Sequence, residues 1–161
     1  MHGLPNHLDL TVTDLARSTV FYDLVLTTLG YARSKEYAGE VPCWVIHMDV
    51  QVQKPSLFTI SPQDPQERLS TPKRLAFSIG LHKSRSDRAH DRYAAGLHHL
   101  ALHASSRIDV DAFHALLVSE GIAVLDAPAE YDYTPGYYAV FFADPDGMKL
   151  ELVYEPRFDV R

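Results

Sequence analysis

Apolar and polar residues alternate in two short stretches that lie far apart in the chain. At His7–Val12 the residues Leu8, Leu10 and Val12 point one way and the polar residues between them point the other. Leu97–Ala104 has the same character. A period of two is typical of a strand with one buried face. Each stretch is therefore predicted to be a strand that packs on a helix and lines a cleft with its other side.

A helical periodicity follows each of these strands. Apolar residues recur mostly three or four positions apart after Asp14, as far as Gly30, and again after Asp109 and Asp111, as far as Gly121. This spacing gives one apolar stripe on a helix. Aspartate is a good N-terminal cap, and glycine readily ends a helix. We predict two amphipathic helices, capped by Asp14 and by Asp109 or Asp111, and ending at the two glycines.

Three strands are predicted after each helix, and the tight-turn residues Asp144–Gly147 separate the last two. In the first half these strands are predicted at Tyr31–Tyr37, Cys43–Val52 and Ser56–Ile60, and in the second half at Ile122–Leu125, Tyr137–Ala143 and Met148–Tyr154, with a loop at Asp126–Gly136.

The stretch between the halves, Ser61–Gly96, is rich in proline and charge and indicates a linker. Within it, Leu75–Leu81 is either another strand or a segment packed over the core. The polar, basic residues that follow form a solvated loop or a mobile cover that brings Arg85, Arg88 or His90 to an anionic substrate.

The two halves are copies of one unit. His7 and His99 are 92 positions apart, as are Phe21 and Phe113, and the two helix-ending glycines agree to within one position. A period this long with two copies is not a solenoid. The predicted fold is α+β, with two repeated βαβββ modules that form a cupped mixed β-sheet with helices on the outside. The expected boundaries are 1–61 for the first module, 62–95 for the linker and 96–161 for the second module.

Composition and net charge argue against several classes of binding partner. The formal net charge of −6 argues against nucleic acid and against an anionic membrane surface. No apolar run approaches the ~20 residues of a membrane span, and no signal peptide is visible at the N-terminus. Cys43 is the single cysteine and excludes an internal disulfide. We read it as a core residue rather than a nucleophile, and expect a cytoplasmic protein.

Three stretches resemble the vicinal oxygen chelate superfamily, which includes glyoxalase I, extradiol dioxygenases and bleomycin resistance proteins. They are His7–Tyr22, Gly96–Leu102 and Tyr137–Val153. The resemblance implies a small-molecule ligand with adjacent oxygens. Modules of this kind pair within one chain or exchange between two, so a homodimer stays open.

The resemblance also implies a metal site, with ligands on the first and last strand of each module. By that pattern His7, His99 and Glu151 are metal ligands. An alignment of the modules without gaps puts the fourth position near Leu57, which cannot bind a metal, so the chain departs from the four-ligand glyoxalase I pattern. Two imidazoles and one carboxylate leave coordination positions open on a divalent ion: iron, manganese, zinc, nickel or cobalt.

Several polar residues are candidates for further roles near these ligands. His103 shares the face of His99 and is a candidate general base, and Asp9 shares the face of His7 and is placed to orient an imidazole. His98 points to the opposite face. From a cluster of tyrosines near Pro135, Tyr138 is the predicted catalytic phenol and Tyr133 is the predicted substrate-binding residue. Glu151 is predicted to be catalytic as well as a metal ligand.

Two functions follow from this set of residues. The first is a divalent-metal-dependent enzyme, with glyoxalase-like or dioxygenase-like chemistry on a small molecule with adjacent oxygens. The second is a metal-free protein of the bleomycin-resistance type that sequesters a drug or metabolite. Stoichiometric metal that is lost when His99 is replaced favours the first.

Overall fold

The computed structural model describes residues 5–35, 41–50 and 73–156. The element order is βαβββ twice, which confirms the predicted α+β fold of two repeated modules. The elements are β1 (His7–Val12), α1 (Leu15–Thr28), β2 (Ala32–Arg33), β3 (Cys43–Val50), β4 (Lys73–Lys83), β5 (Leu100–His103), α2 (Arg107–Ser119), β6 (Val124–Glu130), β7 (Tyr138–Ala143) and β8 (Lys149–Tyr154).

The strands form two four-stranded mixed sheets with equivalent topology, β1-β4-β3-β2 and β5-β8-β7-β6. In each sheet the first strand of the module therefore lies beside the last. The chain divides into two compact units, Met1–Leu10 with Leu26–His82 and Thr11–Val25 with Lys83–Arg161. Most of α1 thus belongs to the same unit as the second sheet.

The first unit has a core on one face of its sheet. Trp44 on β3 lies opposite Ile79 on β4, and both side chains are fully buried. Leu10 and Leu81 are buried as well. The guanidinium of Arg33 covers the Trp44 ring at 4.7 Å from its centroid. The alternation predicted for β1 is confirmed, because Leu10 is buried while Asp9 is exposed.

The second unit packs two helices on its sheet. Phe142 on β7 contacts Phe21 of α1 and Phe113 of α2, with ring centroids 6.4 and 5.4 Å apart. Leu150 lies opposite Phe142 and shares its face. The other face of the same strands carries Phe141 and Glu151, which also lie opposite each other. One face is therefore the helix-packed core, and the other is left to carry polar groups.

The helix ends agree with the sequence, except for one cap. Asp14 Oδ1 accepts a hydrogen bond from the Arg17 N–H at 3.0 Å, as an N-terminal cap does. The prediction of Asp109 or Asp111 as the cap of the second helix is wrong: Ser106 is the cap, and its hydroxyl accepts from the Asp109 N–H. The Ser106 hydroxyl also donates to the Asp109 carboxylate at 2.9 Å, which fixes the capping side chain at the start of the helix.

Both helices end where the sequence predicts. Gly30 and Gly121 follow α1 and α2 with φ of +87° and +67°, a conformation that only glycine adopts without strain.

The linker contains the last strand of the first sheet. Of the two interpretations of Leu75–Leu81 the strand is confirmed, and residues 73–80 of β4 pair with the whole of β3. The predicted strand at Ser56–Ile60 lies outside the described residues. The predicted loop at Asp126–Gly136 is wrong in its first part, because β6 runs to Glu130 and pairs with β7. β6 is an edge strand with register shifts, and such a strand tolerates Pro128.

Neither α1 nor α2, the helices of the described residues, has the length and apolar character of a membrane-spanning helix.

A buried aspartate closes the turn between β7 and β8. Asp144 accepts hydrogen bonds from the N–H groups of Asp146 and Met148 at 2.9 and 2.8 Å, and from the Tyr22 hydroxyl at 3.0 Å. Burial raises the pKa of the Asp144 carboxyl, and these donors oppose that rise. Asp144 thus joins α1 to the β7–β8 turn within the second unit.

We predict that Asp144→Ala lowers the free energy of unfolding by about 2–4 kcal/mol, because it leaves buried donors unpaired. Asp87→Ala is the control, since Asp87 is exposed, and it is expected to change stability by less than about 0.5 kcal/mol. Urea unfolding followed by circular dichroism measures both. Equal stability of the two variants would contradict the role given to Asp144.

Candidate functional site

The candidate site is built around Glu151, in the middle of β8. Its neighbours across the sheet are Ala101 on β5 and Phe141 on β7. The residue is only 2% exposed. A buried carboxylate is costly unless it is paired or hydrogen-bonded, so its partners are part of the local structure.

Two side chains compensate the Glu151 carboxylate. The Tyr137 hydroxyl donates a hydrogen bond to Oε1, and His99 Nε2 lies 3.3 Å from Oε2. Burial raises the pKa of the Tyr137 phenol, and the bond to Glu151 raises it further. The phenol therefore keeps its proton and acts as a donor.

His99 has a partner on each ring nitrogen. Its Nδ1 lies 2.8 Å from Nδ1 of His98, and the two rings meet edge to face. One of these nitrogens must donate and the other accept. In the tautomer with the proton on Nε2, His99 faces the Glu151 carboxylate with its N–H. In the tautomer with the proton on Nδ1, Nε2 keeps the lone pair that a metal ligand needs. The prediction that His98 points away from the site is wrong, because both residues precede β5 and the strand alternation does not extend to them.

His99 and Glu151 fit a divalent ion as a pair. Two donors with bonds of about 2.1 Å in neighbouring octahedral positions lie about 3.0 Å apart, close to the 3.3 Å between Nε2 and Oε2. Among the described residues no group of three or more His, Cys, Asp or Glu side chains is placed to hold a metal ion. The three-ligand set predicted from the sequence therefore stays a prediction.

His7, the remaining predicted ligand, lies in the first unit. Its side chain is exposed, and its Nδ1 lies 3.0 Å from the Asn6 side-chain oxygen. An amide oxygen only accepts, so Nδ1 carries the proton and Nε2 keeps a lone pair. This is the tautomer that a ligand at Nε2 requires.

The sheet register moves the fourth ligand position of the repeat. The Ser78 N–H donates to the Asn6 carbonyl and the Ser84 N–H to the Val12 carbonyl. The two residues joined by each bond are equally far apart in the chain, so one register holds along β1 and β4 and Asp9 lies opposite Gly80. In the second sheet Ala101 lies opposite Glu151 in the same way. The gapless alignment that indicated Leu57, outside the described residues, is wrong, because the two hairpins differ in length.

Gly80 makes room for a carboxylate from the next strand. A Cβ at residue 80 would lie 2.6 Å from Asp9 Oδ1. The other oxygen, Oδ2, is 3.5 Å from His82 Nε2. Asp9 therefore occupies the space above Gly80 and pairs with His82.

An aromatic wall adjoins Glu151; it consists of Tyr131, Tyr133, Tyr137 and Phe141. Tyr131 and Tyr133 stack in parallel with centroids 5.7 Å apart. The Tyr137 ring meets the edge of Tyr133 at 5.2 Å, and Phe141 meets Tyr131 at 5.3 Å. Tyr133 is 68% exposed, so the wall has one ring open to solvent, at the residue predicted to bind substrate.

Two more residues predicted from the sequence, Tyr138 and His103, lie on opposite faces of the second sheet. Tyr138 projects from the opposite face of β7, where its hydroxyl donates to Asp111 of α2 at 2.7 Å and Arg107 covers its ring. The phenol beside Glu151 is Tyr137. His103 lies opposite Val153, on the Glu151 face of the sheet, and is exposed.

Tyr137, which was not predicted to be the phenol near Glu151, has a signal in the sequence. A tight turn at Asp144–Gly147 fixes the hairpin register and sets Phe141 opposite Glu151. Tyr137 and Phe141 are an even number of positions apart and so share that face.

Known proteins are similar to this chain over nearly its whole length, some in sequence and some in fold. The chain is 29% identical over 149 residues to the uncharacterized protein YqjT of Bacillus subtilis (strain 168), covering 92% of this chain and 96% of that protein. The crystal structure of a candidate glyoxalase from Bacillus halodurans superposes with a TM-score of 0.65 at 23% identity, over 95% of this chain and 96% of the other.

A glyoxalase/bleomycin resistance protein from Albidiferax ferrireducens T118 has a TM-score of 0.57 at 22% identity, over 94% of this chain and 98% of its own. At these identities the structures support the fold alone. The family model of the Glyoxalase/Bleomycin resistance protein/Dioxygenase superfamily matches residues 4–152. The chain therefore belongs to that superfamily.

Proposed function

We propose that this protein is a divalent-metal-dependent enzyme that acts on a small molecule with adjacent oxygens. His99 and Glu151 are the proposed ligands in the second unit. His7, the counterpart of His99 in the repeat, is the proposed third ligand. The observation that carries the proposal is the separation of 3.3 Å between His99 Nε2 and the buried Glu151 carboxylate. The expected setting is the cytoplasm, in keeping with a single, buried cysteine.

The bound ion would act as a Lewis acid on the two substrate oxygens or as a template for dioxygen. The chain's own groups would handle protons and orientation. The Tyr137 hydroxyl donates a hydrogen bond to Glu151. It would donate instead to a substrate oxygen that takes the place of that carboxylate oxygen. His98 orients His99 through the Nδ1 contact. His103, on the same face of the sheet as Glu151, is the proposed general base. The hydroxyl of Tyr138 is bonded to Asp111, so Tyr137 takes the role of catalytic phenol that was predicted for Tyr138.

A metal-free binding protein is the second candidate, and one observation favours it. The Glu151 carboxylate already accepts a hydrogen bond from the Tyr137 hydroxyl on one oxygen, and the His99 imidazole lies 3.3 Å from the other. Such a group is stable in the fold without an ion, so the aromatic wall beside it would serve to hold a drug or metabolite.

Metal titration separates the two candidates. We expect the wild-type protein, stripped with chelator, to bind one Mn²⁺ or Co²⁺ per chain in isothermal titration calorimetry. His99→Ala and Glu151→Gln are expected to weaken that binding by at least about 100-fold, since even outer-shell partners contribute roughly 10–100-fold.

His114→Ala is the matched control, because His114 lies on α2; it is expected to bind like wild type. Folded wild-type protein that binds no ion would refute the enzyme proposal and favour the binding protein. Oxygen uptake with catechols, measured with the same metal-loaded samples, distinguishes dioxygenase from glyoxalase-like chemistry.

Tyr137 and Tyr138 are adjacent tyrosines with different surroundings, which allows a direct comparison. Tyr137→Phe is predicted to lower the free energy of unfolding by about 1.5–3 kcal/mol, because it removes a hydrogen bond to a buried charged group. Tyr138→Phe is predicted to cost less than about 1 kcal/mol, because its partner Asp111 is exposed.

Chemical denaturation of both variants measures the difference. An equal cost for the two substitutions would show that the Glu151 carboxylate does not depend on the Tyr137 hydroxyl.

A further inference from the structure

A half-buried lysine lies on the same face of β8 as Glu151. Lys149 is two positions before Glu151, so both side chains leave the strand on one side. Its neighbour on β7 is the small residue Ala143. The Lys149 ammonium is held 3.7 Å from the centroid of the Phe141 ring. The cation is thus attached to the aromatic wall and not directed into bulk solvent.

The Lys149 charge has no anionic partner in the part of the chain that the structure describes. The ion pairs there are made by other residues, and Lys149 has no further interaction with a carboxylate. Glu151, on the same face, directs its two oxygens to Tyr137 and His99 instead. A positive charge held over a ring without a counter-charge is suited to receive an anion from outside.

The aromatic wall supplies the second half of a binding site. Tyr133 is exposed, yet its ring is ordered by stacking on Tyr131 and by the edge of Tyr137. Tyr131 in turn contacts Phe141, the ring under Lys149. Flat rings bind other flat rings by offset or edge-to-face contact. The wall and the cation are therefore continuous, with Phe141 as the link between them.

We propose that Lys149 and the aromatic wall form a subsite for a planar ring that carries an anionic oxygen, such as an aromatic carboxylate or phenolate. The ring lies against Tyr133 and Tyr131, and the anionic group pairs with the Lys149 ammonium. This inference deepens the proposed function, on which it rests, by naming the substrate class of the same site.

The test uses 2-hydroxybenzoate as the probe, with 2-hydroxybenzamide as its uncharged analogue and cyclohexanecarboxylate as its non-planar one. Binding is measured by ¹H–¹⁵N NMR titration of the full chain in the presence of chelator. Wild type is expected to bind 2-hydroxybenzoate more tightly than either analogue. Lys149→Met is expected to weaken 2-hydroxybenzoate roughly tenfold and to leave 2-hydroxybenzamide within about twofold.

Tyr133→Leu is expected to weaken both aromatic probes and to leave cyclohexanecarboxylate unchanged. Lys35→Met, which removes an exposed lysine after β2, is the control for the loss of one positive charge and is expected to bind all three probes like wild type. A Lys149→Met protein that binds 2-hydroxybenzoate like wild type, or that loses both aromatic probes equally, would overturn the subsite.

The metal titration and the probe titration, both carried out on the wild-type protein, separate the two proposals. Wild-type protein that binds metal but shows no preference for the aromatic acid would refute the subsite and leave the metal site standing. Preference for the aromatic acid without metal binding would do the reverse.

Discussion

The second unit is organised by the cost of burying one carboxylate. Glu151 is in the middle of a β-sheet, almost out of contact with water. An ionised group there must be compensated by charge or by hydrogen bonds. Tyr137 and His99 provide that compensation, and each is fixed by other rings: Tyr137 by the aromatic wall, His99 by His98. The positions of these side chains thus follow from the needs of one buried group.

The opposite face of the same sheet provides the rigidity that this arrangement needs. Phe142 contacts a phenylalanine on each helix, and Asp144 bonds to Tyr22 and to its own turn. Adjacent residues on β7 and β8 therefore point alternately into an apolar core and towards the polar site. A site carried on paired strands has less freedom than one carried on loops.

The two modules share topology and differ in chemistry. At the position of Glu151 the first sheet has Gly80, and the carboxylate near that point comes from Asp9 on the adjacent strand. Where the second sheet has Phe141 opposite Glu151, the first sheet has Cys43 opposite Gly80. Burial raises the pKa of the Cys43 thiol, which keeps it neutral, in keeping with a core residue and not with a nucleophile. Duplication preserved the backbone pairing, while the side chains of the two copies diverged.

The sequence alone determined the repeated βαβββ order and the two helices with their terminal glycines, because periodicity, capping and turn chemistry are local properties of the chain. The choice of His99 and Glu151 as ligands came from the resemblance to the superfamily and stays a prediction. The sequence did not determine the partner strand of β1, since β4 follows a long connection whose length no local pattern sets. It also did not reveal that His98 meets His99, that Tyr137 and not Tyr138 reaches Glu151, or that Lys149 covers Phe141. Those contacts join residues on different strands, or residues just outside a strand, and only the tertiary packing fixes which side chains meet there.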